Sequence, residues 1–285
     1  MSSARSDHPA GARLKPVRIA IAGAGGRMGQ ALIDATLAAP DLLLAAALDV
    51  AGSSAIGTDA GARTGRATGV AIGADVDAAL GRADVLIDFT RPAGTLAHLA
   101  ACERAGVAAV VGTTGFDPAA RDEIVERSRR TPIVLAPNMS VGVNVLIELV
   151  ELAAARLGSE FDIEIVEMHH RHKVDAPSGT ALRLGEAAAK GAGVSLADHA
   201  VYAREGVTGE RKPGAIGFAT LRGGDVVGEH TVVFAGAGER VELTHRATSR
   251  GNFAAGALRA ARFLAAKRAE GASGLFDMAD VLGMR

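Results

Sequence analysis

Several kinds of residue are scarce in this chain of 285 residues, and each scarcity argues against a class of protein. With one cysteine, Cys102, no internal disulfide can form, and its alanine-rich helical surroundings favour a small buried side chain over a nucleophile. Eight Phe, one Tyr and no Trp leave few rings on which nucleobases could stack. The 31 basic and 32 acidic side chains nearly cancel, so no overall field draws in nucleic acid or an anionic membrane.

Long apolar runs are missing as well. No uninterrupted run reaches the roughly 18 residues that a membrane-spanning helix requires. Residues 1–16 are small and polar and lack the apolar core of a secretory signal, so we expect a disordered leader. Together these absences predict a reduced, cytoplasmic protein with neither a membrane nor a nucleic acid as its partner.

The composition is sufficient for a large core, because 48% of the residues are hydrophobic, and the length predicts two domains. From Val17 to about residue 140, short strands that are apolar throughout alternate with helical stretches. Such strands, separated by helices of about 12 residues, are typical of a parallel sheet covered on both faces. Residues 17–140 are therefore predicted to form a doubly wound α/β domain.

The pattern changes beyond residue 140. A helix over 143–158, a strand over 161–170 and a helix over 180–191 precede three strand-like segments that glycine-rich turns join. This hairpin-type spacing predicts a second, α+β domain with a mostly antiparallel or mixed sheet. A last helix over 252–268 and a short tail close the chain.

A glycine-rich turn, GAGGRMG over residues 23–29, directly follows the first strand and opens a helix. In a dinucleotide-binding turn, Gly23 makes the tight turn, Gly26 lets the backbone approach the pyrophosphate, and Gly29 lets the helix lie close on the strand. The helix amides, the positive end of the helix dipole and the charge of Arg27 then face the phosphate oxygens. Glycine turns also occur for packing alone, so the motif by itself decides nothing.

An acidic residue strengthens the nucleotide interpretation. Asp49 ends the second strand, 20 residues after Gly29, where a carboxylate can accept hydrogen bonds from the adenosine ribose. Asp49 could also be a turn residue ahead of the Gly-Ser-Ser that follows. Taken with the glycine turn, it makes a nicotinamide dinucleotide the favoured ligand and a Rossmann-type sheet the favoured fold.

Three further strand ends carry small and polar residues: DFT at 88–90, GTTG at 112–115 and APNMS at 136–140. Ligands of open α/β sheets bind outside the carboxyl ends of the strands. Glycine amides and threonine hydroxyls at these ends suit a ribose or a nicotinamide amide. Each end alone is ordinary turn chemistry, whereas the three together predict one crevice.

A cationic segment, HHRHK over residues 169–173, ends the first strand of the second domain. Neighbouring strand residues face opposite ways, so at most His170 and His172 could share a metal ion. Glu164 and Glu167 could add oxygen ligands, yet no cysteine is near, and we expect no metal. A solvated charged loop is a second alternative, and the short length of the segment argues against a nucleic-acid patch.

The residues after the cationic segment favour a small anion as its partner. Asp175 and the Pro-Ser-Gly-Thr turn at 177–180 lead into a helix that Ser178 or Thr180 can cap. The amides of Gly179 and Thr180 then form an anion cradle opposite the cations, which describes a pocket for a carboxylate. A histidine among positive neighbours has its protonated form disfavoured, which moves its proton transfer toward neutral pH.

The run EIVEMHHRHKVDAPSGTA over residues 164–181 resembles the signature of the dihydrodipicolinate reductases of bacterial lysine and diaminopimelate biosynthesis, also called 4-hydroxy-tetrahydrodipicolinate reductases. The resemblance continues from Val17 to the chain end through AIAGAGGRMG, DFTRP, GTTGF, NMSVGVN, REGVTGER, GAIGFATLRGGDVVGEHTV and LTHRATSR. It implies that a hydride from NADH or NADPH reduces 4-hydroxy-tetrahydrodipicolinate, a small dicarboxylate, to tetrahydrodipicolinate with loss of water. It also implies a cytosolic homotetramer in which residues 250–285 return to the nucleotide domain and residues 141–249 form the substrate-binding and tetramerisation domain.

The resemblance also implies roles residue by residue. His169 matches a proton donor or acceptor, and Lys173 matches a second proton donor. His170 matches a substrate contact, and Gly179 with Thr180 matches the backbone site for a substrate carboxylate. The positions that match dinucleotide contacts are Gly23, Ala24, Gly25, Gly26, Arg27, Met28, Asp49, Gly112, Thr113, Thr114, Ala136, Pro137, Asn138 and Met139.

One position departs from the family pattern. Some members carry a basic residue directly after the acidic residue of the second strand, where it can meet the 2′-phosphate of NADP, and here Val50 occupies that position. Because Asp49 repels a phosphate, we predict a preference for NADH, although Arg27 could still serve NADPH.

Two alternatives stay open on the residues themselves. A dinucleotide-sensing regulator would keep the nucleotide domain without needing an acid–base cluster. Another amino-acid-pathway dehydrogenase, acting on an aspartate-derived aldehyde or on diaminopimelate, would turn over a linear substrate. The paired histidines beside the anion cradle favour a dicarboxylate instead.

Overall fold

The computed structural model describes residues 15–249 and 251–285. The leader predicted over residues 1–16 lies outside the described residues as far as position 14. The first part of the chain alternates strands and helices, as its apolar pattern predicts. Its elements are β1 (Val17–Ala22), α1 (Arg27–Ala38), β2 (Leu42–Leu48), β3 (Ile72–Gly73), α2 (Val76–Leu80), β4 (Val85–Asp88), α3 (Pro92–Ala105), β5 (Ala108–Val111), α4 (Pro118–Ser128) and β6 (Pro132–Leu135).

The second part of the chain has a different arrangement of helices and longer strands. Its elements are α5 (Val141–Leu157), β7 (Asp162–His169), α6 (Gly179–Ala192), α7 (Leu196–His199), β8 (Ala200–Val201), β9 (Ile216–Arg222), β10 (Gly228–Ala235) and β11 (Arg240–Ala247). The chain ends in α8 (Gly251–Ala269), β12 (Gly274–Phe276) and α9 (Met278–Leu282). Across the described ranges, no helix is both long and apolar enough to cross a membrane.

The first sheet has seven parallel strands in the order β12-β6-β5-β4-β1-β2-β3. Every residue of β4 and β5 is buried, which explains why these strands are apolar except for Asp88 at the end of β4. The chain builds outward from β1 in both directions, first through β2 and β3 and then through β4, β5 and β6. The order therefore reverses beside β1, and such a reversal opens a crevice at the carboxyl ends of the strands.

Helices cover both faces of this sheet. On one face α1 and α8 bury side chains such as Leu32 and Leu258 against the strands. On the other face α2, α3 and α4 bury Leu80, Leu99 and Ile124. The doubly wound α/β arrangement predicted from the sequence is confirmed. The short β3 and α2, of 2 and 5 residues, escaped prediction because such lengths carry too little periodicity.

The second sheet is mixed, with the order β11-β10-β7-β9-β8. The hairpin predicted from spacing is present between β10 and β11, but β9 and β10 do not pair with each other. Instead β7 lies between them, parallel to β9 and antiparallel to β10. The link between β9 and β10 passes over the end of β7, where the N–H of Gly223 donates to the carbonyl of His169 at 3.0 Å. A link of about five residues can close a hairpin between neighbouring strands, and it can equally span the roughly 10 Å across one intervening strand. The length of the link between β9 and β10 therefore could not show whether these two strands pair.

The tail after α8, for which the sequence pattern predicted no element, contains β12 and α9. β12 extends the first sheet beyond β6, with Leu275 opposite Ile133. α8 packs on the face of the same sheet. The last 35 residues that the structure describes, 251–285, thus lie against the sheet that begins at Val17.

Candidate active site

The carboxyl ends of β1, β4, β5 and β6 meet around a cleft of about 430 Å³, beside the reversal of the strand order. The residues that line this cleft are Gly23, Gly26, Arg27, Met28, Gly29, Phe89, Gly112, Pro137 and Phe253. The structure therefore brings together the glycine turn and the three strand ends that the sequence singled out. Phe253, from α8, joins them without any earlier signal, because it lies more than 100 residues after the other lining residues.

Several predicted dinucleotide contacts turn their side chains into the core. Ala24, Ala136 and Met139 are at most 3% exposed, and Thr113 is 5% exposed. A contact between these positions and a dinucleotide would therefore have to come from their backbone atoms. Thr114 is exposed, whereas Asn138 is half-buried.

The backbone of the glycine turn explains its composition. Gly23 has φ +72°, in the left-handed region that favours glycine. A Cβ on Gly29 would lie 2.1 Å from the carbonyl oxygen of Gly23, so only glycine lets α1 begin this close to β1. Gly26 occupies the cap position of α1 and supplies no side-chain cap, which leaves the first helix amides beside the cleft for an anion. The residues present fit the pyrophosphate of a dinucleotide.

Asp49 holds the glycine turn against the end of β2. Its Oδ2 accepts hydrogen bonds from the N–H of Gly25 at 2.9 Å and from the hydroxyl of Ser53 at 3.2 Å, while Oδ1 accepts from the N–H of Val50 at 2.8 Å. The guanidinium of Arg63 donates to the carbonyl of Gly25 at 3.2 Å. Asp49 thus stabilises the turn through these hydrogen bonds. This role is additional to the ribose contact that the sequence predicts.

Asp88, at the end of β4 beside the cleft, is a buried carboxylate. It belongs to the strand end at 88–90 but was not itself predicted to be a site residue. Asp88, 1% exposed, accepts hydrogen bonds from the N–H and hydroxyl of Thr90 at 2.8 and 2.7 Å. Its Oδ2 lies 2.7 Å from Nδ1 of His98 on α3. Burial alone would raise the pKa of Asp88, but the hydrogen bonds from His98 and Thr90 outweigh burial and hold that pKa below its ordinary value. Asp88 is therefore an anion that orients the hydroxyl of Thr90.

The cationic segment begins where β7 ends. His169 is the last strand residue, 9% exposed, and its Nδ1 lies 2.6 Å from Oε2 of Glu167. Burial, the largest effect, and the nearby charges of Lys173 and Arg222 lower the pKa of His169, while Glu167 opposes them. The predicted lowering by positive neighbours is present, but desolvation contributes more than the neighbours do.

The other members of the cationic segment leave the strand and lie in a turn. The rings of His170 and His172 are 6.2 Å apart, centroid to centroid. Among residues 15–249 and 251–285, no group of three or more His, Cys, Asp or Glu side chains is placed to hold a metal ion. Lys173 donates to Asp175 at 2.8 Å, and its side chain is 21% exposed.

The start of α6 is held against β7, because the N–H of Ser178 donates to Oε1 of Glu167 at 3.0 Å. Ser178 caps the helix, because its hydroxyl accepts a hydrogen bond from the N–H of Ala181 at 3.1 Å and also lies 3.0 Å from Nε2 of His230. Asn138, at the end of β6, donates from its side-chain amide to the hydroxyl of Thr180 at 3.0 Å. This hydrogen bond joins the rim of the nucleotide cleft to the anion cradle, so the two predicted sites form one continuous region.

Comparisons with known proteins identify the family to which the chain belongs. Residues 17–139 match the family model described as dihydrodipicolinate reductase, N-terminus, and residues 142–282 match the model for its C-terminus. A 4-hydroxy-tetrahydrodipicolinate reductase of Nitrosospira multiformis is 57% identical over 272 residues, which is 95% of this chain and 100% of the relative. The reductase of Cupriavidus pinatubonensis is 59% identical over 269 residues, covering 94% of this chain and 100% of that protein.

Solved structures with a similar fold include two that bear on the alternatives. A dihydrodipicolinate reductase from Paenisporosarcina sp. TG-14, solved with dipicolinate bound, has a TM-score of 0.70 at 24% identity and covers 92% of this chain and 97% of its own. The DAP dehydrogenase of C. glutamicum has a TM-score of 0.52 at 15% identity, with 93% of each chain covered. At these identities the likeness shows the fold alone. The family models and the close relatives decide between the alternatives, and the chain belongs to the dihydrodipicolinate reductase family of NAD(P)H-dependent oxidoreductases.

Proposed function

We propose that this chain reduces 4-hydroxy-tetrahydrodipicolinate to tetrahydrodipicolinate with loss of water, in lysine and diaminopimelate biosynthesis. The carrying observation is the hydrogen bond from Asn138 to Thr180, which sets the nucleotide cleft directly beside an anion cradle and an acid–base cluster. A dinucleotide sensor has no need of that arrangement. A bound NADH or NADPH supplies the hydride, and every other requirement of the reaction falls to side chains and amides of the chain.

The glycine turn and the strand ends hold the dinucleotide in this proposal. The uncapped amides at the start of α1 and the charge of Arg27 bind the pyrophosphate. Asp49 accepts from the adenosine ribose, and Gly112 lies at the rim where the nicotinamide end is held. Asp88 keeps Thr90 in a fixed orientation at the end of β4, where its hydroxyl would help to position a bound nicotinamide.

The substrate is a small ring with two carboxylates, and we assign one carboxylate to the anion cradle. The amides of Gly179 and Thr180 lie at the positive end of α6, where a carboxylate is stabilised. We assign His170, which directly follows β7, to a contact with the same substrate. Because the cradle consists of backbone atoms, side-chain replacement at Gly179 or Thr180 alters its shape more than its charge.

His169 and Lys173 are assigned to proton transfer. As the hydride arrives, negative charge develops on the substrate, and a cationic acid nearby stabilises it and supplies the proton. Because the pKa of His169 lies below its ordinary value, its protonated ring is a stronger acid than a free imidazolium. Lys173, 21% exposed and paired with Asp175, is the second proton donor, through its ammonium group.

We further infer a preference for NADH over NADPH. Val50 is 74% exposed and uncharged at the place where a cation would meet a 2′-phosphate, and the carboxylate of Asp49 repels such a group. Replacement of Val50 with Arg is expected to raise kcat/KM for NADPH by roughly 10-fold, the contribution of one hydrogen bond to a charged group. Val207, fully exposed on the loop between β8 and β9, offers the matched Val207→Arg control.

We propose that residues 17–140 and 250–285 form the dinucleotide-binding domain and that residues 141–249 form the substrate-binding and tetramerisation domain. The side chains of β7 and β9 that point away from α5 and α6 include Val166, Met168 and Leu221, and Leu221 is 45% exposed. An apolar, uncovered sheet face supports assembly into a homotetramer. Light scattering on the wild type and on Leu221→Glu tests it, with a smaller particle expected for the variant.

A coupled assay tests the proposed reaction. The cyclic product of dihydrodipicolinate synthase is mixed with the chain and NADH, and the fall in nicotinamide absorbance is followed. Binding of NADH without its oxidation would favour the sensor, and oxidation on a linear substrate would favour another dehydrogenase.

His169→Gln and Lys173→Ala are each expected to lower kcat about 100-fold or more, the range of general acid–base groups. Lys190→Ala, which removes an exposed lysine paired with Glu151, is the control for Lys173.

A further inference from the structure

Glu167 is a buried carboxylate that the proposed reaction does not use. Its side chain is 1% exposed and points to the same face of β7 as His169, because alternate residues of a strand share a face. Its Oε2 lies 2.6 Å from Nδ1 of His169. A carboxylate buried to this extent persists only where partners replace its water.

Arg222 and the helix α6 supply those partners. The guanidinium of Arg222 donates to both carboxylate oxygens, at 2.8 and 2.9 Å, and the N–H of Ser178 donates to Oε1 at 3.0 Å. Arg222 is itself anchored by a 2.6 Å hydrogen bond to the carbonyl of Asp175. Burial raises the pKa of Glu167, but the bonds from Arg222, His169 and Ser178 outweigh it and hold the pKa below its ordinary value.

An ionised carboxylate only accepts hydrogen bonds, so Nδ1 of His169 must be the donor. We propose that Glu167 is a positioning residue that holds His169 as the Nδ1–H tautomer and leaves Nε2 as the atom that exchanges a proton with the substrate. The inference rests on the proposed role of His169. When protonated His169 acts as the acid, the proton leaves Nε2 for the substrate, the ring returns to the neutral Nδ1–H form, and solvent later restores the proton on Nε2.

The strand beside His169 leaves room for this exchange. A Cβ on Gly228 would lie 2.9 Å from Nε2 of His169, so glycine at this position of β10 keeps a side chain away from that nitrogen. On the same strand, the ring of His230 lies edge-on to His169 at 5.1 Å, but its Nε2 is bonded to Ser178 instead. Nδ1 is thus tied to Glu167, and Nε2 is the ring nitrogen left for chemistry.

Four charged or titratable groups face His169: Glu167 on the same strand, Arg222 on β9, His230 on β10 and Lys173 in the turn. Glu167 is the one that favours the protonated ring, whereas Arg222 and Lys173 disfavour it. Removing the charge of Glu167 therefore lowers the pKa of His169 further. The limb of the pH–rate profile that belongs to His169 moves to lower pH.

Glu167→Gln tests the inference in the full chain, with nitrogen NMR on histidine-labelled protein. A glutamine can keep its oxygen on Arg222 and offer its amide N–H to Nδ1, which favours the opposite, Nε2–H tautomer. We expect the His169 signals, assigned with His169→Gln, to change from the Nδ1–H to the Nε2–H pattern. We also expect kcat to fall roughly 10- to 100-fold, the loss usual when an orienting partner is removed.

Two further variants separate positioning from folding. Glu164 lies on the same strand and also pairs with two arginines, Arg204 and Arg211, but does not contact His169. Glu164→Gln should leave both the tautomer and kcat unchanged. Glu167→Asp keeps the charge and, with it, the Nδ1–H pattern, even if the shorter side chain lowers the rate.

A double variant decides whether Glu167 acts through His169. In the His169→Gln background, adding Glu167→Gln should lower kcat by less than about 3-fold, because the residue it positions is gone. An equal loss in both backgrounds, or an Nδ1–H pattern that persists in Glu167→Gln, overturns the inference alone. An unchanged kcat in His169→Gln overturns the role of His169 as well, so the two failures are distinguishable.

Discussion

Alanine at Gly29 and alanine at Gly26 are expected to damage the chain in different ways, although the two glycines lie three positions apart in one turn. A Cβ on Gly29 would lie 2.1 Å from the carbonyl oxygen of Gly23 and 2.8 Å from Cα of Ala24. Relief of that contact requires the start of α1 to move by about 1 Å, since close-packed interiors leave no space to absorb it. A Cβ on Gly26 would approach nothing nearer than 3.2 Å, and its φ of −80° suits any residue.

The magnitudes follow from these contacts. Overpacking at position 29 costs about 2 kcal/mol of folding free energy, which lowers the Tm by roughly 4–8 °C in a chain of this size. The shifted amides of α1 lose about one hydrogen bond to a charged phosphate, or roughly a 10-fold to 100-fold weaker Kd for NADH. At Gly26 the methyl group enters the cleft itself, so the Kd rises similarly while the Tm changes by less than about 2 °C.

Calorimetric unfolding and titration with NADH measure both quantities on the same samples. Gly81→Ala is the matched control, because its Cβ would meet only an ordinary contact at 3.5 Å and the residue already has helical backbone angles. We expect that variant to behave as the wild type. An unchanged Kd in Gly26→Ala would refute the placement of the pyrophosphate at this turn. An unchanged Tm in Gly29→Ala would refute the close packing of α1 on β1.

Three shorter predictions concern buried groups. Burial lowers the pKa of His230 from 6.5 to about 3, so the unfolded chain binds a proton there that the folded chain does not. The free energy of unfolding should therefore fall with decreasing pH between 6.5 and 3, by at most about 1.4 kcal/mol per pH unit, and His230→Gln should flatten that slope in urea titrations. Asp88→Asn leaves His98 without its anionic partner and should cost about 3 kcal/mol of stability, whereas Asp77→Asn, an exposed surface pair with Arg104, should change the urea midpoint very little. Burial raises the pKa of the Cys102 thiol, so a thiol reagent at pH 7 should modify this cysteine only as fast as the chain unfolds, and rapid labelling of the native protein would contradict its placement in the core.

Much of the first sheet could be predicted because its strands are buried on both faces. Segments such as Val85–Asp88 and Ala108–Val111 contain almost nothing but apolar residues, which only a covered parallel sheet explains. β12 could not be predicted, since three residues at a sheet edge have no periodicity. The position of β7 between β9 and β10 was also beyond prediction, because pairing between distant segments depends on which apolar faces meet and not on the length of the links.

The candidate site divides in the same way. His169, Lys173, Gly179 and Thr180 lie within 12 consecutive residues, so one motif carried them. The contact between Glu167 and His169 was not predicted from the sequence, because a carboxylate close to histidines in sequence suits a metal site as well as an ion pair. Arg222, which settles that Glu167 is an ion-pair partner, lies 55 residues further along the chain. Sequence patterns find residues that are neighbours in the chain, whereas burial and charge pairing are properties of the folded sheet.

The pairing of β12 with β6 has a consequence for how the chain is made. During synthesis β6 emerges about 140 residues before its neighbour Gly274–Phe276, and α8, which covers one face of the first sheet, also arrives late. Until residues 251–276 are made, the first sheet thus has an open edge at β6 and an apolar face that α1 covers only in part. We expect nascent chains that stop before residue 251 to be prone to aggregation and to depend on chaperones, and chains that include β12 to need them less.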